Sequence, residues 1–200
     1  MITMAITGRS GCGKSTVTAR FAAQQIPCAD ADRIAREILA PGSPCLGQLA
    51  KVFGADILPG GVLDRHLLAD RAFATPEGTR ALNAITHPAI LDRLHQQQAA
   101  AQAAGAWLFV VDGAAIIGSP FEAACDRILV VAAPFETSVA RICARDGISP
   151  EMAARRLNAQ IPQQTLLDKA DYVIHNDSTQ AALVEQTDRL IQALREECHA

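Results

Sequence analysis

Short, wholly apolar runs alternate with amphipathic stretches at both ends of this chain, and a long region with little strand character lies between them. The run ITMAIT (Ile2 to Thr7) predicts a buried strand. KSTVTARFAAQQ after it has helical spacing, with Val17, Phe21 and Ala22 on one face. A short extended piece, IPCAD, leads into a helix over ADRIAREILA that Pro41-Gly42 ends. From Pro44 to Gly105 the pattern predicts helices and turns: a turn at Pro59 to Gly61, a helix over LDRHLLADRAF capped by Asp64, and two helical segments meeting at Pro88. The Gln/Ala tract from Gln96 to Ala104 reads as an exposed helical stem of high propensity.

Apolar strands return with WLFVVDG (Trp107 to Gly113) and RILVVAA (Arg127 to Ala133). Runs apolar on both faces suit a parallel sheet covered by helices. Helices then follow over ETSVARICARDG and SPEMAARRLNAQ, the second capped by Ser149 with Pro150 in its first turn. DYVIHND is a last strand, and a terminal helix spans about Thr179 to Glu197. The order β-α-β, helical insert, β, β-α-α, β-α predicts a parallel α/β sheet, and no internal repeat is visible.

Composition narrows the setting. Two hundred residues, half of them apolar, suit one ordinary domain with a real core. A formal net charge of −3 argues against a general nucleic-acid or membrane-surface binder. No apolar run is long enough to span a bilayer, and MITMAITGRSG lacks the basic start and cleavage site of a signal peptide, so a cytoplasmic protein is expected. The six cysteines have neither C-x-x-C nor zinc spacing and read as free thiols. Cys12, at a helix N-terminus, is placed where a thiolate would be stabilised, although a passive loop role is the simpler reading.

The first turn carries the chemistry. GRSGCGKST, Gly8 to Thr16, satisfies G-x-x-x-x-G-K-[ST] between a strand and a helix. Glycines there let the backbone approach phosphate closely, and successive N–H groups of Gly11, Cys12, Gly13 and Thr16 join the helix N-terminus in facing the anion. Lys14 is placed to reach the β- and γ-phosphates of ATP, and Ser15 to offer Mg²⁺ a hydroxyl. Asp112, ending the strand LFVVD, can hold the same metal directly or through water. A hydroxyl acceptor also needs a base, and a carboxylate just after the second strand would sit at the sheet's C-terminal rim. Asp30 and Asp32 both qualify: Asp30 for the structural role of capping the helix, Asp32 for the base.

Beyond the loop, the chain resembles the dephospho-CoA kinase family over nearly its whole length. The likeness rests on GCGKST, DADRIAR, FGADIL at 53–58, GVLDRHLLADRAF at 61–73, LNAITHPAI at 82–90, CDRILVV at 125–131, RICARDGIS at 141–149, RLNAQ at 156–160 and ADYVIHND at 170–177. The resemblance implies transfer of the γ-phosphate of ATP to the ribose 3′-hydroxyl of dephospho-CoA, the last step of coenzyme A synthesis. It also implies a three-layer P-loop fold with a parallel sheet of about five strands. Its parts would be a core over about 1–40, 106–135 and 170–200, a helical acceptor-binding insert over about 41–105 and a small helical lid over about 141–165. Asp32 matches the family's proposed base, and Arg65 and His87 fall in the insert, where either could meet the acceptor's phosphates or ribose. Each also has a plain reading, Arg65 as an exposed ion and His87 as a helix-end residue bonded to backbone.

Arg141 and Arg145, four apart on one helical face, suit a closing lid, Arg141 over the base and Arg145 at phosphate, with one of Arg155 and Arg156 assisting. ATP and dephospho-CoA are the expected partners of a monomer or weak homo-oligomer.

Three places depart from the family pattern. After the third strand, DGAAIIGSP (112–120) stands where the family reads close to D-x-P-L-L-F-E; Arg9-Ser10 stands where a glycine usually follows the first; and NDST changes the last turn. The first departure supports another reading, a P-loop kinase of a different small hydroxyl acceptor such as a nucleoside or nucleotide; a third, a non-catalytic nucleotide-binding module, has no use for the Asp32 base and the arginines that are retained.

Overall fold

The computed structural model describes residues 1–199. Its five strands are β1 (Ile2–Thr7), β2 (Cys28–Asp30), β3 (Leu108–Asp112), β4 (Arg127–Ala132) and β5 (Tyr172–His175). They form one parallel sheet in the order β2-β3-β1-β4-β5. β1 is central, with Ile6 opposite both Asp112 and Leu129. Because side chains alternate across the pleat, Met4 and Ile6 face one way. They join Val17 and Phe21 of α1 (Lys14–Ala23) and Leu183, Ile191 and Leu194 of α9 (Gln180–His199) in the main core. On the opposite face, Thr3 Oγ1 accepts a 2.7 Å hydrogen bond from Gln98 Nε2.

The chain divides into two units, Met1–Asp30 with Gln98–Ala200, and Ala31–Gln97. The second is helical, with α2 (Ala31–Glu37), α3 (Pro44–Phe53), α4 (Arg65–Ala72) and most of α5 (Pro76–Ala103). Its own core gathers Leu49, Phe53, Ile57, Leu68 and Ala72. Local capping sets these helices: Asp64 accepts from Leu67 N at 3.0 Å, as the sequence suggests, and Ser43 caps α3 with Pro44 at its first position. Arg71 forks onto both carboxylate oxygens of Asp56 and also reaches the Phe53 carbonyl.

The two segments expected to meet at Pro88 are one helix, α5, with the proline inside it. A mid-helix proline removes one donor and crowds the carbonyl four residues back. That carbonyl belongs to Ala84, and both residues are exposed, so the released group faces water. The Gln/Ala tract is helical as expected but not wholly exposed, since Ala101 is buried and Gln98 anchors to Thr3.

In the first unit, α6 (Phe135–Asp146) ends at Gly147 in the left-handed conformation, and α7 (Pro150–Asn158) starts from Ser149, which accepts from Met152 N. Val139, Ile142, Ala153 and Leu157 lock the two helices together. A short helix α8 (Gln163–Leu167), not legible as such in the sequence, contributes Leu166 to a small cluster with Val130 and Ile117. The divergent 112–120 loop is therefore held by burying its own Ile116 and Ile117. Behind it, Glu122 accepts from the Gly118 N–H and pairs with Lys169.

Burial raises two thiols, Cys28 to about 11 and Cys125 to about 12, against an ordinary value of 9.0. The folded chain thus keeps these protons at pH values where the unfolded chain loses them. Their contribution is fully present below pH 9 and is lost as pH rises through 11 to 12. Urea midpoints are expected to be unaffected by these groups up to about pH 9 and to fall beyond it; Cys28→Ser/Cys125→Ser should flatten that alkaline fall.

Candidate active site

β1 delivers the chain to Gly8 at the C-terminal edge of the sheet, and the loop closes at Gly13, the residue before α1. Three glycines of the loop are required by contact, Gly11 among them because a Cβ there, at φ 78°, would sit 2.6 Å from the Ser138 carbonyl. A Cβ on Gly8 would sit 2.4 Å from the Val131 carbonyl, and one on Gly13, at φ 95°, would sit 2.2 Å from Asn176 Nδ2. The backbone between them can thus lie against β4 and the end of β5; the Ser10 and Cys12 N–H groups turn inward, to Gln160 Oε1 at 3.0 Å and the Arg9 carbonyl at 3.1 Å, so Cys12 N is not among the groups facing an anion, and the N-terminus of α1 follows.

Cys12 is 1 % exposed, and desolvation is the largest influence on its thiol, raising the pKa against the opposing pull of the Lys14 backbone N–H and ammonium. The thiolate that a helix N-terminus would favour is therefore not formed; Cys12 packs in the main core as a small apolar residue. Iodoacetamide at neutral pH is expected to label the exposed Cys198 well before Cys12, as mass spectrometry of timed samples would show.

Lys14 Nζ pairs with Asp112 Oδ1, and Thr18 Oγ1 donates to Asp112 Oδ2 at 2.7 Å. An ammonium has three donors, so this pair leaves Lys14 two for phosphate oxygens, and a carboxylate with about four acceptor sites keeps two more. Ser15 is exposed at the first turn of α1. Ser15 Oγ and Asp112 form a hard oxygen set, and no group of three or more His, Cys, Asp or Glu is present among the described residues. That set fits a Mg²⁺ that takes its remaining ligands from phosphate and water.

Asn176 was not singled out in the sequence, yet it ties the site together. It follows the last residue of β5 and is 5 % exposed. Its Nδ2 donates to the Cys12 carbonyl at 2.8 Å, and its Oδ1 accepts from Arg141 Nη2 at 3.2 Å. Arg141 Nη1 also donates to the Gly11 carbonyl at 3.2 Å. One amide thus fixes both the loop backbone and the guanidinium of α6. The available signal was a polar residue ending an apolar strand. Asn176→Ala orphans the buried Cys12 carbonyl and is expected to cost roughly 1–3 kcal/mol, read as a lower calorimetric midpoint. It should also weaken ATP binding; unchanged values for both would separate Asn176 from the loop.

Helix α7 and the residues after it grip the loop as well. Ser10 and Gln160 exchange two hydrogen bonds, Ser10 N to Oε1 at 3.0 Å and Gln160 Nε2 to Ser10 Oγ at 2.8 Å. Arg9 donates to the Leu157 carbonyl and lies 5.8 Å from the Phe135 ring centroid. The unusual Arg9-Ser10 pair is thus attached to α7 and the residues after it rather than displayed to solvent. Arg145 is exposed and forks onto Asp146, which also takes Arg156 at 2.7 Å; these bonds, Arg145's first, lower the Asp146 pKa. The structure joins Arg141 to the loop; Arg145 and Arg156 share Asp146, and Arg155 is exposed.

Asp30 is the last residue of β2 and stands in register with Asp112. Asp32, two residues on, is exposed in the first turn of α2 in the second unit. Arg65, also there, is exposed and donates to the Arg36 carbonyl at 3.4 Å. His87 is half-buried in the interior of α5, not at a helix end, because the helix continues through Pro88.

A parallel sheet in this order, whose first strand feeds a glycine-rich anion loop clasped by a basic helical pair, defines a P-loop kinase fold. Solved structures agree: a shikimate kinase from Acinetobacter baumannii shares the fold at TM-score 0.56, with 17 % identity over 98 % of this chain and 94 % of that one. The dephospho-CoA kinase family model matches residues 2–182, and the chain belongs to that family. Curated dephospho-CoA kinases from Corynebacterium jeikeium and Anaeromyxobacter dehalogenans are 43 % and 38 % identical to it, covering 94 % and 98 % of this chain and 97 % and 93 % of theirs. A dephospho-CoA kinase structure from Campylobacter jejuni superposes with TM-score 0.61 at 29 % identity, covering 96 % of each chain.

Proposed function

We propose that this chain transfers the terminal phosphate of ATP to the ribose 3′-hydroxyl of dephospho-CoA, yielding coenzyme A and ADP. The observation that carries this reading is the family match across residues 2–182, in a chain that keeps a complete phosphate loop.

The loop's N–H groups and Lys14 hold the β- and γ-phosphates in line for displacement. Ser15 and Asp112 would hold Mg²⁺, which when bound supplies positive charge against the phosphate oxygens. Asp32 takes the proton of the 3′-hydroxyl as its oxygen attacks phosphorus and the bond to the β-phosphate oxygen breaks. Its place fits this role: chain connectivity brings it two residues beyond Asp30, the register partner of Asp112. Arg141 sits over the base, Arg145 meets phosphate after leaving Asp146, and Arg65 and His87 receive the acceptor. The lid keeps water, the competing acceptor, from the γ-phosphate. The protein acts in the cytoplasm, as a monomer or weak homo-oligomer; no described helix is long and apolar enough to cross a membrane.

The deciding assay measures ADP release from ATP and Mg²⁺ with dephospho-CoA, with a panel of nucleosides and nucleotides, and with no acceptor. Stimulation by dephospho-CoA above the panel, with coenzyme A identified by mass, is the expected result. Equal or greater stimulation by another acceptor, or none by any, overturns the reading.

A further inference from the structure

The second unit contains a pocket of about 210 Å³. Its walls are largely aliphatic, including Leu63, Leu68 and Ala69 at α4 and Leu82 and Ile90 of α5. Two features set it apart from a packing defect. The first is Arg65, which shares the lining. It makes one long bond, to the Arg36 carbonyl at 3.4 Å, and a guanidinium offers five donors. The second is Phe73, which follows the last residue of α4 and also lines the pocket while remaining 65 % exposed. An aromatic ring left this open beside an apolar recess gains by being covered. Thr86, the one hydroxyl in the lining, already donates to the Leu82 carbonyl at 2.9 Å, so the recess offers little to a polar guest.

A cation adjoining an aliphatic recess matches one particular ligand chemistry: a phosphate ester whose neighbouring carbon is branched and hydrocarbon. Dephospho-CoA carries that junction once. The phosphate farther from its ribose is esterified to a CH₂ group, and the next carbon is quaternary and bears two methyls. On the reading of the acceptor given above, we propose that this pocket is the subsite for the start of the pantetheine arm. The dimethyl carbon enters between α4 and α5, Arg65 holds the adjoining phosphate, and the Phe73 ring covers the outer side. The occupant shares no atom with the reacting hydroxyl, so the subsite supplies acceptor recognition rather than chemistry.

The probe is 4′-phosphopantetheine, which has the phosphate and the arm but neither ribose nor base, titrated calorimetrically into the full chain. The wild type should bind it. Ala69→Leu, which fills the recess, and Phe73→Ala, which removes an exposed ring without threatening the core, should each weaken binding, the first by about tenfold, the discrimination that a methyl or two commands in an apolar site. Arg65→Ala should weaken it further. With dephospho-CoA as acceptor, Ala69→Leu and Phe73→Ala should raise KM more than they lower kcat. No binding of the probe by the wild type, or equal binding by the wild type and all three variants, overturns the subsite, even if dephospho-CoA is turned over normally. Binding that responds to the variants in a chain that fails to phosphorylate dephospho-CoA upholds the subsite and removes the reaction assigned under the proposed function instead.

Discussion

Asp32→Asn is expected to lower turnover of dephospho-CoA by about 10²–10⁴-fold, the span usually lost with a positioned general base. The amide keeps the size and shape of the carboxylate and cannot accept the hydroxyl proton. Asp32 is exposed in the first turn of α2, so its charge gives the helix dipole at most about 1 kcal/mol. Affinity for ATP, measured by titration, should hardly move, because the phosphate loop and its supports lie elsewhere in the chain. A variant that keeps wild-type kcat would move the base to another group, and Asp30→Asn would be the next comparison.

Lys14→Ala should produce a different pattern. Turnover should fall by about 10²–10³-fold, as for loss of one strong donor to transferring charge, and ATP binding should weaken with it. Stability should fall too. The Lys14 and Asp112 side chains are 18 % and 12 % exposed, and removing the ammonium leaves Asp112 with the Thr18 hydroxyl. Breaking one side of a pair this enclosed costs about 3 kcal/mol, measurable by urea unfolding. Lys14→Ala/Asp112→Asn should recover part of the stability and none of the turnover. Recovery of turnover in the double variant would mean that Lys14 acts only by holding Asp112.

What the sequence discloses depends on how local each feature is. The loop and its flanking strand and helix were legible because Gly8, Gly13, Lys14 and Ser15 lie within one turn and their chemistry is fixed by spacing. The caps at Asp64 and Ser149 were legible for the same reason. Pro88 misled because proline's local cost is real, but the released carbonyl of Ala84 faces water and the helix continues through it. Cys12 showed only half of its setting: the helix end was visible in the sequence, whereas the burial that outweighs it comes from its place in the main core, which gathers residues distant in sequence. Asn176 and Gln160 were missed as site residues because their partners are distant in sequence, Cys12 and Ser10. Only the assembled sheet brings an amide after β5 to a carbonyl after β1. The arginines of α6 and α7 form an intermediate case. Their helical spacing was visible, but the presence of Asp146 beside Arg145, and of Asn176 beside Arg141, decides which guanidinium reaches the loop.

The strand order has a consequence for biosynthesis. β1 and the glycine loop leave the ribosome before the groups that hold them: β3 and β4 as neighbours, then Val131 against Gly8, Gln160 against Ser10 and Asn176 against Cys12. The helical segment Ala31–Gln97 is continuous and has its own core, so it can fold while the rest is still being translated. During that interval ITMAIT is an apolar segment whose strand partners have yet to be made, and the earlier-made part of the phosphate loop's setting is the last to acquire its shape.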